Sequence, residues 1–229
     1  MLKNKEIETN SLVSAKSPYI NKIFEENKYP WQILSKIGEY IKEFCANVPE
    51  GFSEISLGVF VGEDVVIAKS AVIEPPAIIG KGTVIRPGAY LRGKVIIGEG
   101  CVIGNSTEIK NAVLSDKVQV PHYNYVGDSV LGYHAHMGAG AICSNFKLDG
   151  KNVSLRFGEE KVDTGLRKFG AIIGDNVDIG CNTVLNPGTV IGKSSAVYPV
   201  LSIRGFYPEN SIVKDKEFVV KKEISVCAE

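Results

Sequence analysis

The most regular feature of the sequence is an aliphatic residue at every sixth position. The spacing holds without interruption from Val61 to Ile109, shifts at two five-residue steps, and returns from Ile173 to Ile203. A helix with 3.6 residues per turn cannot keep a strict period of six on one face over this length. Every position of this lattice is apolar, namely Val61, Ile67, Ile73, Ile79, Ile85, Leu91, Ile97, Ile103, Ile109, Leu114, Val120, Val126, Leu131, Met137, Ile173, Ile179, Leu185, Ile191, Val197 and Ile203.

The residues around the lattice positions indicate short strands joined by tight corners. Gly or Ala often follows the lattice residue, and the residue four positions on is usually small or β-branched. This is the hexapeptide repeat of a parallel β-helix, in which each hexapeptide forms one strand and one corner. Unrelated strands of a β-sandwich are the alternative, but they would be spaced less regularly. In the families that share the repeat the helix is left-handed. We therefore predict an all-β, left-handed parallel β-helix with a short N-terminal α-helical segment.

Three parts of the chain lie outside the lattice. Apolar residues at helical spacing predict an amphipathic helix at Pro30–Cys45, which we expect to cover the first coil because a solenoid end exposes unpaired strand edges. A polar excursion interrupts the lattice between Cys143 and Gly170, and long excursions from compact folds are usually functional. The basic stretch Val213–Lys222 either closes the other end or helps to bind an anion. The predicted boundaries are a helical cap at 1–58, the β-helix at 59–213 with the excursion at 143–170, and a tail at 214–229.

Composition narrows the class of protein without naming a function. The 26 basic and 26 acidic residues balance, which gives no reason to expect nucleic acid or an acidic membrane as partner. The chain has no apolar run long enough for a membrane span and no signal-like N-terminus, so we expect a cytoplasmic protein. Its 5 cysteines show no CxxC pairing, which favours reduced thiols over a disulfide framework.

Long cations break the pattern of small residues after the lattice positions. Arg92 and Lys110 are 18 residues apart, so they should stack on one face of successive coils, about 4.8 Å apart. Like charges at that distance repel unless an anion lies between them, and phosphate suits both side chains. Alternatively, both side chains splay into solvent or pair with Glu74 or Glu108. Arg86 should lie on the neighbouring face.

The stretch VPHYNYVGDS places one of only 3 histidines beside this cationic pair. His122 should point outward, and Tyr125 should lie in the corner one coil beyond Lys110. Asn124 stands where other coils have Val, Ala or Thr, so we expect either a polar side chain in the wall of the core or a distorted strand. A histidine near neutrality is suited to act as a general base toward an amine or hydroxyl. An inert surface histidine is the alternative.

These same motifs carry a family resemblance that covers about residues 61–212. RPGAYLRG, IGNSTEIKN, VPHYNYVGDS and MGAGAICSN resemble the acetyltransferase domain of bifunctional N-acetylglucosamine-1-phosphate uridyltransferase/glucosamine-1-phosphate acetyltransferases. LDGKN and VDTGLRKFGAIIGDNV look more like the related archaeal bifunctional sugar-1-phosphate nucleotidylyltransferase/acetyltransferases. The resemblance implies transfer of acetyl from acetyl-CoA to an amino-sugar 1-phosphate, without a metal, at a site between the subunits of a homotrimer.

Site residues carried over from this resemblance fall into three groups. His122 would be the catalytic base and Asn145 would lie near the reacting groups. The sugar phosphate would be bound by Lys110, an arginine, Tyr125 and Lys151. The coenzyme A site would be lined by Ala139, Cys181 and His136. Cys181 stands where the bacterial enzymes have Ser, and His136 stands where they have Asn. The family arginine corresponds to Arg86, which lies 24 residues before Lys110 rather than 18, so coil geometry gives its phosphate role to Arg92.

The sequence thus predicts a sugar-phosphate N-acetyltransferase without the nucleotidyltransferase domain of its relatives. Three alternatives stay open. A covalent route would run through Cys143 or Cys181, although Cys143 continues the inward register. A zinc site built from His122, His134 and His136, as in β-helical carbonic anhydrases, lacks the expected coil spacing. The protein could also be a non-catalytic scaffold that binds sugar phosphate or recruits a separate nucleotidyltransferase.

Overall fold

The chain begins with short helices. The computed structural model describes residues 4–157, 160–215 and 218–222. Its helices are α1 (Thr9–Leu12), α2 (Pro18–Glu25) and α3 (Ile37–Ala46), with 3-10 turns at Asn4–Ile7 and Pro30–Ser35. The helix predicted at Pro30–Cys45 is therefore divided at Lys36 into a 3-10 turn and α3. None of the described helices is long and apolar enough to cross a membrane.

Short strands make up most of the remaining chain. The first of them are β1 (Phe52–Ser56), β2 (Val59–Gly62), β3 (Val66–Ile67), β4 (Val72–Glu74), β5 (Ala77–Ile79), β6 (Val84–Ile85), β7 (Tyr90–Arg92), β8 (Val95–Ile97), β9 (Val102–Asn105), β10 (Glu108–Lys110), β11 (Ala112–Leu114), β12 (Gln119–His122), β13 (Tyr125–Gly127), β14 (Val130–Leu131), β15 (His136–Met137) and β16 (Ile142–Cys143). They are followed by β17 (Ser154–Phe157), β18 (Glu160–Asp163), β19 (Ala171–Ile173), β20 (Asp178–Ile179), β21 (Val184–Leu185), β22 (Thr189–Ile191), β23 (Ala196–Val197), β24 (Ser202–Ile203), β25 (Phe206–Tyr207), β26 (Ser211–Val213) and β27 (Val219–Lys221).

Three sheets form the three faces of a prism. The first face has the strand order β1-β2-β5-β8-β11-β14-β19-β22-β25, the second β27-β26-β23-β20-β15-β12-β9-β6-β3 and the third β24-β21-β16-β13-β10-β7-β4. Strands on each face pair in parallel from coil to coil, except for β1 and β27, which add at the ends in antiparallel orientation. The predicted parallel β-helix is confirmed.

The lattice residues form the interior of the prism. From Ile79 to Ile203, each is at most 3% exposed, whereas Val61, Ile67 and Ile73 in the first coil are only partly buried. Because a strand points alternate side chains to opposite faces, the residue before each lattice position points outward. The outward residues decide what each face can contact.

The N-terminal segment, residues 4–46, lies lengthwise along the first face. It buries the apolar side chains that this face turns outward, which are Ile78, Ile96, Val113, Val130, Ile172 and Val190. The expectation that the helix covers the end of the first coil is therefore wrong. β1 pairs with the edge strand β2 instead, so the edge hydrogen bonds are met by a strand. The helices pack on the outward apolar side chains of the first face.

Two buried aspartates fix the N-terminal segment to the prism. The Asp116 carboxylate accepts hydrogen bonds from the backbone N–H groups of Lys16 (2.6 Å) and Ser17 (2.9 Å). The Asp175 carboxylate accepts from the backbone N–H (2.9 Å) and Oγ (2.8 Å) of Ser14. A hydrogen bond to a charged acceptor is stronger than one between neutral groups. The segment is thus anchored by specific bonds as well as by apolar packing.

The predicted excursion and tail both contain strands. β17 and β18 form an antiparallel hairpin. Val153, just before β17, and Leu155, within it, are buried in the apolar cluster on the outer side of the first face. The Phe157 ring packs on the Phe206 ring, with centroids 4.7 Å apart. In the tail, β27 pairs with β26 and so extends the second face at its C-terminal end.

Candidate active site

His122 is the last residue of β12, at the start of the second corner, which is the set of turns that join the second face to the third. Backbone hydrogen bonds connect successive coils along this corner. The Gly140 N–H donates to the His122 carbonyl (3.0 Å), and the Asn182 N–H donates to the Ala139 carbonyl (2.8 Å). His122, Ala139 and Cys181 therefore occupy one line on three successive coils, about 4.8 Å per step. The structure brings together three residues that the sequence predicted for catalysis and cofactor binding.

Asn124 shapes the turn that presents His122. It is 3% exposed, and its Nδ2 donates to the carbonyl oxygens of Gly138 (2.7 Å) and Ala141 (3.3 Å). Its Oδ1 accepts a hydrogen bond from the His122 backbone N–H (3.1 Å). The predicted polar side chain in the wall of the core is present, and these bonds satisfy it. The His122 side chain is left exposed to solvent, as predicted.

The cationic pair lies on the third face, one coil apart. Ile109 of β10 pairs with Leu91 of β7, so Lys110 and Arg92, the next residue of each strand, lie side by side on neighbouring strands. Arg92 Nη1 is 2.6 Å from Glu108 Oε1, and Lys110 Nζ is 3.7 Å from Asp128 Oδ2. Carboxylates thus offset both positive charges, which is the alternative that the sequence left open for Arg92. The argument that only an anion could relieve their repulsion does not hold in this structure.

Asp128 is the centre of a polar network that the sequence did not single out. Its side chain is 7% exposed and accepts hydrogen bonds from Asn111 Nδ2 (2.8 Å) and from Asn145 Nδ2. Asn145 Nδ2 also donates to the Tyr125 hydroxyl oxygen (3.2 Å). One carboxylate therefore orients three residues predicted to bind substrate or to catalyse: Lys110, Tyr125 and Asn145.

A local conformational signal could have identified Asp128. It sits at the third corner, where the third face turns into the first face of the next coil, and its φ is 46°. Lys94 and Asn111 hold the same position in the two preceding coils, with φ of 50° and 47°. Asp and Asn tolerate this left-handed region better than most residues. An acidic residue at a repeated corner inside VGDS was the available clue.

Tyr125 keeps its proton in this network. Burial is the largest cause that raises the pKa of its hydroxyl, and the nearby Glu108 and Asp128 carboxylates raise it further. The phenol is therefore neutral at physiological pH and can donate a hydrogen bond to a ligand oxygen.

Three other predicted residues lie apart from this network. Arg86 is exposed at the second corner, two coils before His122. It therefore lies away from the face that carries Arg92 and Lys110, as predicted. His136 is on the second face, with Nδ1 3.4 Å from Asp178 Oδ1. Lys151 is exposed in a turn of the excursion, where its N–H donates to Asp149 Oδ1 (3.1 Å). The structure does not bring Lys151 to the network.

A cleft with two lobes follows the third corner beside the N-terminal segment. Leu34 and Ser35 from the segment, together with Asn111 and Asp128, line both lobes. The first lobe has a volume of about 420 Å³ and the second about 460 Å³. The first lobe adds Arg92, Lys94 and Lys110, and the second adds Phe146, Leu166, Arg167 and Lys168. The cleft thus places five cations around one buried carboxylate.

Comparison with known proteins decides the family. Residues 73–159 match the family described as the GMPPB C-terminal domain. The bifunctional protein GlmU of Methanococcus maripaludis is 39% identical over 211 residues, which cover 89% of this chain and 50% of that protein. The chain thus spans about half the length of this relative. The putative uncharacterized acetyltransferase YaiX of Escherichia coli is 34% identical over 161 residues, 70% of each chain.

This chain belongs to the hexapeptide-repeat acyltransferases. The crystal structure of a mutant of AntD, an N-acyltransferase from Bacillus cereus in complex with dTDP and coenzyme A, has 21% sequence identity and a TM-score of 0.41. That match covers 77% of this chain and 93% of AntD, and at this TM-score it adds nothing to the assignment. The predicted enzyme class, acyltransferase, is confirmed by the sequence relatives.

The cysteines of this acyltransferase differ in their ability to react. Burial raises the pKa of the Cys143 thiol to about 12, so it stays protonated and unreactive at neutral pH. Cys143 lies in the interior, as its register predicted. Cys181 is exposed on the second corner, and Cys227 lies outside the described residues. The structure therefore gives no support to a covalent route through Cys143, because its thiol is buried in the interior of the prism.

The three histidines of the acyltransferase lie at different places on the prism. His122 is on the second corner and His136 on the second face, whereas His134 is in a turn between the first and second faces. Among the described residues, no group of three His, Cys, Asp or Glu side chains could hold a metal ion.

Proposed function

We propose that this acyltransferase uses acetyl-CoA to N-acetylate an amino-sugar 1-phosphate, with His122 as general base. The observation that carries the proposal is the position of His122. It lies in line with Ala139 and Cys181, the predicted coenzyme A positions, and the network of Tyr125, Asn145 and Asp128 begins three residues after it. The name of a relative from Sulfurisphaera tokodaii, a bifunctional sugar-1-phosphate nucleotidylyltransferase/acetyltransferase that is 39% identical over 96 residues, supports a sugar-phosphate acceptor.

The proposed chemistry is direct acyl transfer. The His122 imidazole accepts a proton from the acceptor amine while the amine nitrogen forms a bond to the thioester carbonyl carbon. The C–S bond then breaks, and the protonated imidazole returns the proton to the departing thiolate. Acetyl-CoA supplies the activated acyl group, and a backbone N–H on the second corner polarises its carbonyl oxygen. Proton, acyl group and thiol thus balance without a covalent enzyme intermediate.

The residues of the cleft would bind the acceptor. Lys110 and Arg92 supply positive charge for the anomeric phosphate, and a phosphate would compete with Glu108 and Asp128 for them. The neutral Tyr125 hydroxyl and the Asn145 amide are placed to hydrogen-bond the sugar. Lys168 lines the cleft whereas Lys151 does not, so we propose Lys168 rather than Lys151 as a lysine that contacts the substrate.

We also propose that three chains associate in parallel, as the resemblance implies. The N-terminal segment and the hairpin already cover the first face. The second and third faces are left for contact with other copies. On the second face the outward residues toward both ends are small or apolar and keep some exposure, namely Val66, Val84, Val102, Ala196 and Ile212, whereas Gln119, His136 and Asp178 lie between them. Apolar surface of this kind at both ends of a face is suited to burial at an interface between subunits.

A thiol-release assay with acetyl-CoA and a panel of amino-sugar 1-phosphates tests the proposed reaction. The informative variant is His122→Asn, and His134→Asn is the matched control because His134 is also exposed and its φ of 56° suits Asn. General-base assistance is worth about 10²–10⁴-fold, so kcat should fall by that factor in His122→Asn and stay unchanged in the control. If the folded wild-type protein releases no thiol with any amine, the scaffold alternative replaces the enzyme.

A further inference from the structure

The two lobes of the cleft differ in how their cations are balanced. In the first lobe, Arg92 and Lys110 each contact a carboxylate. In the second lobe, Arg167 and Lys168 line the cavity, and no carboxylate among the described residues forms an ion pair with either. The one carboxylate that lines this lobe, Asp128, is already engaged by Lys110, Asn111 and Asn145. Two exposed cations that form no ion pair with the described residues create a positive potential that favours an anion.

The backbone holds the second lobe against the proposed reaction network. Phe146 and Lys168 form an antiparallel bridge, and the Phe169 N–H donates to the Asn145 carbonyl (3.0 Å). The Gly170 N–H donates to the Asp128 carbonyl (2.8 Å). The cations at 167–168 are thus connected within a few residues to the groups proposed to hold the sugar. A ligand that reaches from Lys110 past Asp128 would enter the second lobe.

We propose that the acceptor substrate carries a second anionic group, which Arg167 binds in the second lobe. This inference rests on the proposed function and adds the charge of its substrate. The second lobe, at about 460 Å³, is large enough for a further phosphoryl group, and Phe146 and Leu166 supply apolar contact beside it. Arg167 suits the role because a guanidinium binds phosphate or carboxylate oxygens with two parallel hydrogen bonds.

The kinetic test compares acceptors that differ only in their anionic groups. Glucosamine 1-phosphate is the reference, and glucosamine 1,6-bisphosphate and UDP-glucosamine each carry a second phosphoryl group at a different place. A hydrogen bond to a charged group is worth about 1.5–3 kcal/mol, which corresponds to about 10–100-fold in affinity. We expect at least one acceptor with a second anionic group to have a KM lower than the reference by about that factor, and the acceptor preferred identifies where the group sits.

Arg167→Ala should remove this preference. Its KM for the preferred acceptor should rise about 10-fold or more, whereas its KM for glucosamine 1-phosphate and for acetyl-CoA should stay within about 2-fold. The matched control is Arg156→Ala, because Arg156 is an exposed arginine of the same excursion that does not line the cleft. Equal effects of the two substitutions would overturn the proposal.

A binding measurement separates this inference from the proposed function. Titration calorimetry with inorganic phosphate and pyrophosphate needs no turnover. We expect pyrophosphate to bind more tightly than phosphate, and Arg167→Ala to abolish the difference. If the two probes bind wild type equally and glucosamine 1-phosphate is the best acceptor, the second anion site is wrong and the acetyltransferase stands. If pyrophosphate binds through Arg167 but no amine is acetylated, the anion site stands and the proposed reaction is wrong.

Discussion

Replacing Asp116 by alanine tests whether hydrogen bonds to a carboxylate hold the N-terminal segment on the first face. Asp116 is buried, with 3% of its surface exposed. Its Oδ2 accepts the two hydrogen bonds from Lys16 and Ser17, and its Oδ1 accepts a third from the Glu99 backbone N–H (2.8 Å). The substitution removes every one of these acceptors and leaves three N–H groups to find others.

The expected loss follows from the number and type of these bonds. A hydrogen bond to a charged group contributes about 1.5–3 kcal/mol. The Lys16 N–H is at a part-buried site, so water can replace some of what is lost, and the contributions are not additive. We therefore expect Asp116→Ala to lower the free energy of unfolding by about 3–5 kcal/mol. Asp175 still holds Ser14, so the segment should loosen locally before the prism unfolds.

Two measurements on the same variant decide the outcome. Urea unfolding gives the change in stability, and amide hydrogen exchange shows whether protection is lost in α1, α2 and the residues between them while the prism stays protected. Glu50→Ala is the control, since Glu50 is exposed and forms no ion pair or hydrogen bond with the described residues. A loss below about 1 kcal/mol with unchanged exchange would refute the reasoning, because it would mean that apolar packing alone holds the segment.

Two further predictions test the interior and the corners. Iodoacetamide at pH 8 should label Cys181 in the folded protein and leave Cys143 unmodified until denaturant is added, because burial keeps the Cys143 thiol protonated. Peptide mapping identifies which cysteine is labelled, and labelling of Cys143 in the folded protein would contradict its placement in the interior. Gly104→Ala should lower the free energy of unfolding by at least about 3 kcal/mol or prevent folding, because the added Cβ would lie 1.6 Å from the Pro121 carbonyl oxygen. In the control Gly82→Ala the added Cβ meets no atom within 4 Å, so the loss should be only about 1–2 kcal/mol, caused by the φ of 66°. Similar thermal stability of the two variants would contradict this reasoning.

The fold could be predicted because every hexapeptide carries the same signal, an apolar residue that must point inward. A six-residue period fixes which side chains point inward, and Ile79, Leu114 and Ile203 are buried although more than one hundred residues separate the first from the last. The five-residue steps at Leu114 and Leu131 are absorbed in the third corner, where Asn111 and Asp128 adopt positive φ. The sequence therefore predicts not only the fold but also which face carries Arg92, Lys110 and His122.

The repeat could not predict contacts that occur at one place in the structure and do not recur from coil to coil. The N-terminal helix has an apolar stripe that would suit a solenoid end or a face equally well. The choice depends on Asp116 and Asp175, which are about one hundred residues or more from the groups that they bind. Asp128 was missed for the same reason, since its partners lie one coil before it and one coil after it. Candidate residues at lattice positions could be placed, whereas Lys151 in the irregular excursion could not.

The Asn111 side chain connects the N-terminal segment directly to the proposed chemistry. Asn111 Nδ2 donates to the Leu34 carbonyl oxygen (3.3 Å) and to Asp128 Oδ1 (2.8 Å). The bond that positions one wall of the cleft is thus shared with the carboxylate that orients Lys110 and Asn145. His122 is held by bonds to Asn124 and Gly140 that involve neither the segment nor the cleft. A displaced segment should therefore weaken acceptor binding and leave the base in place, so that its effect appears in KM rather than in kcat.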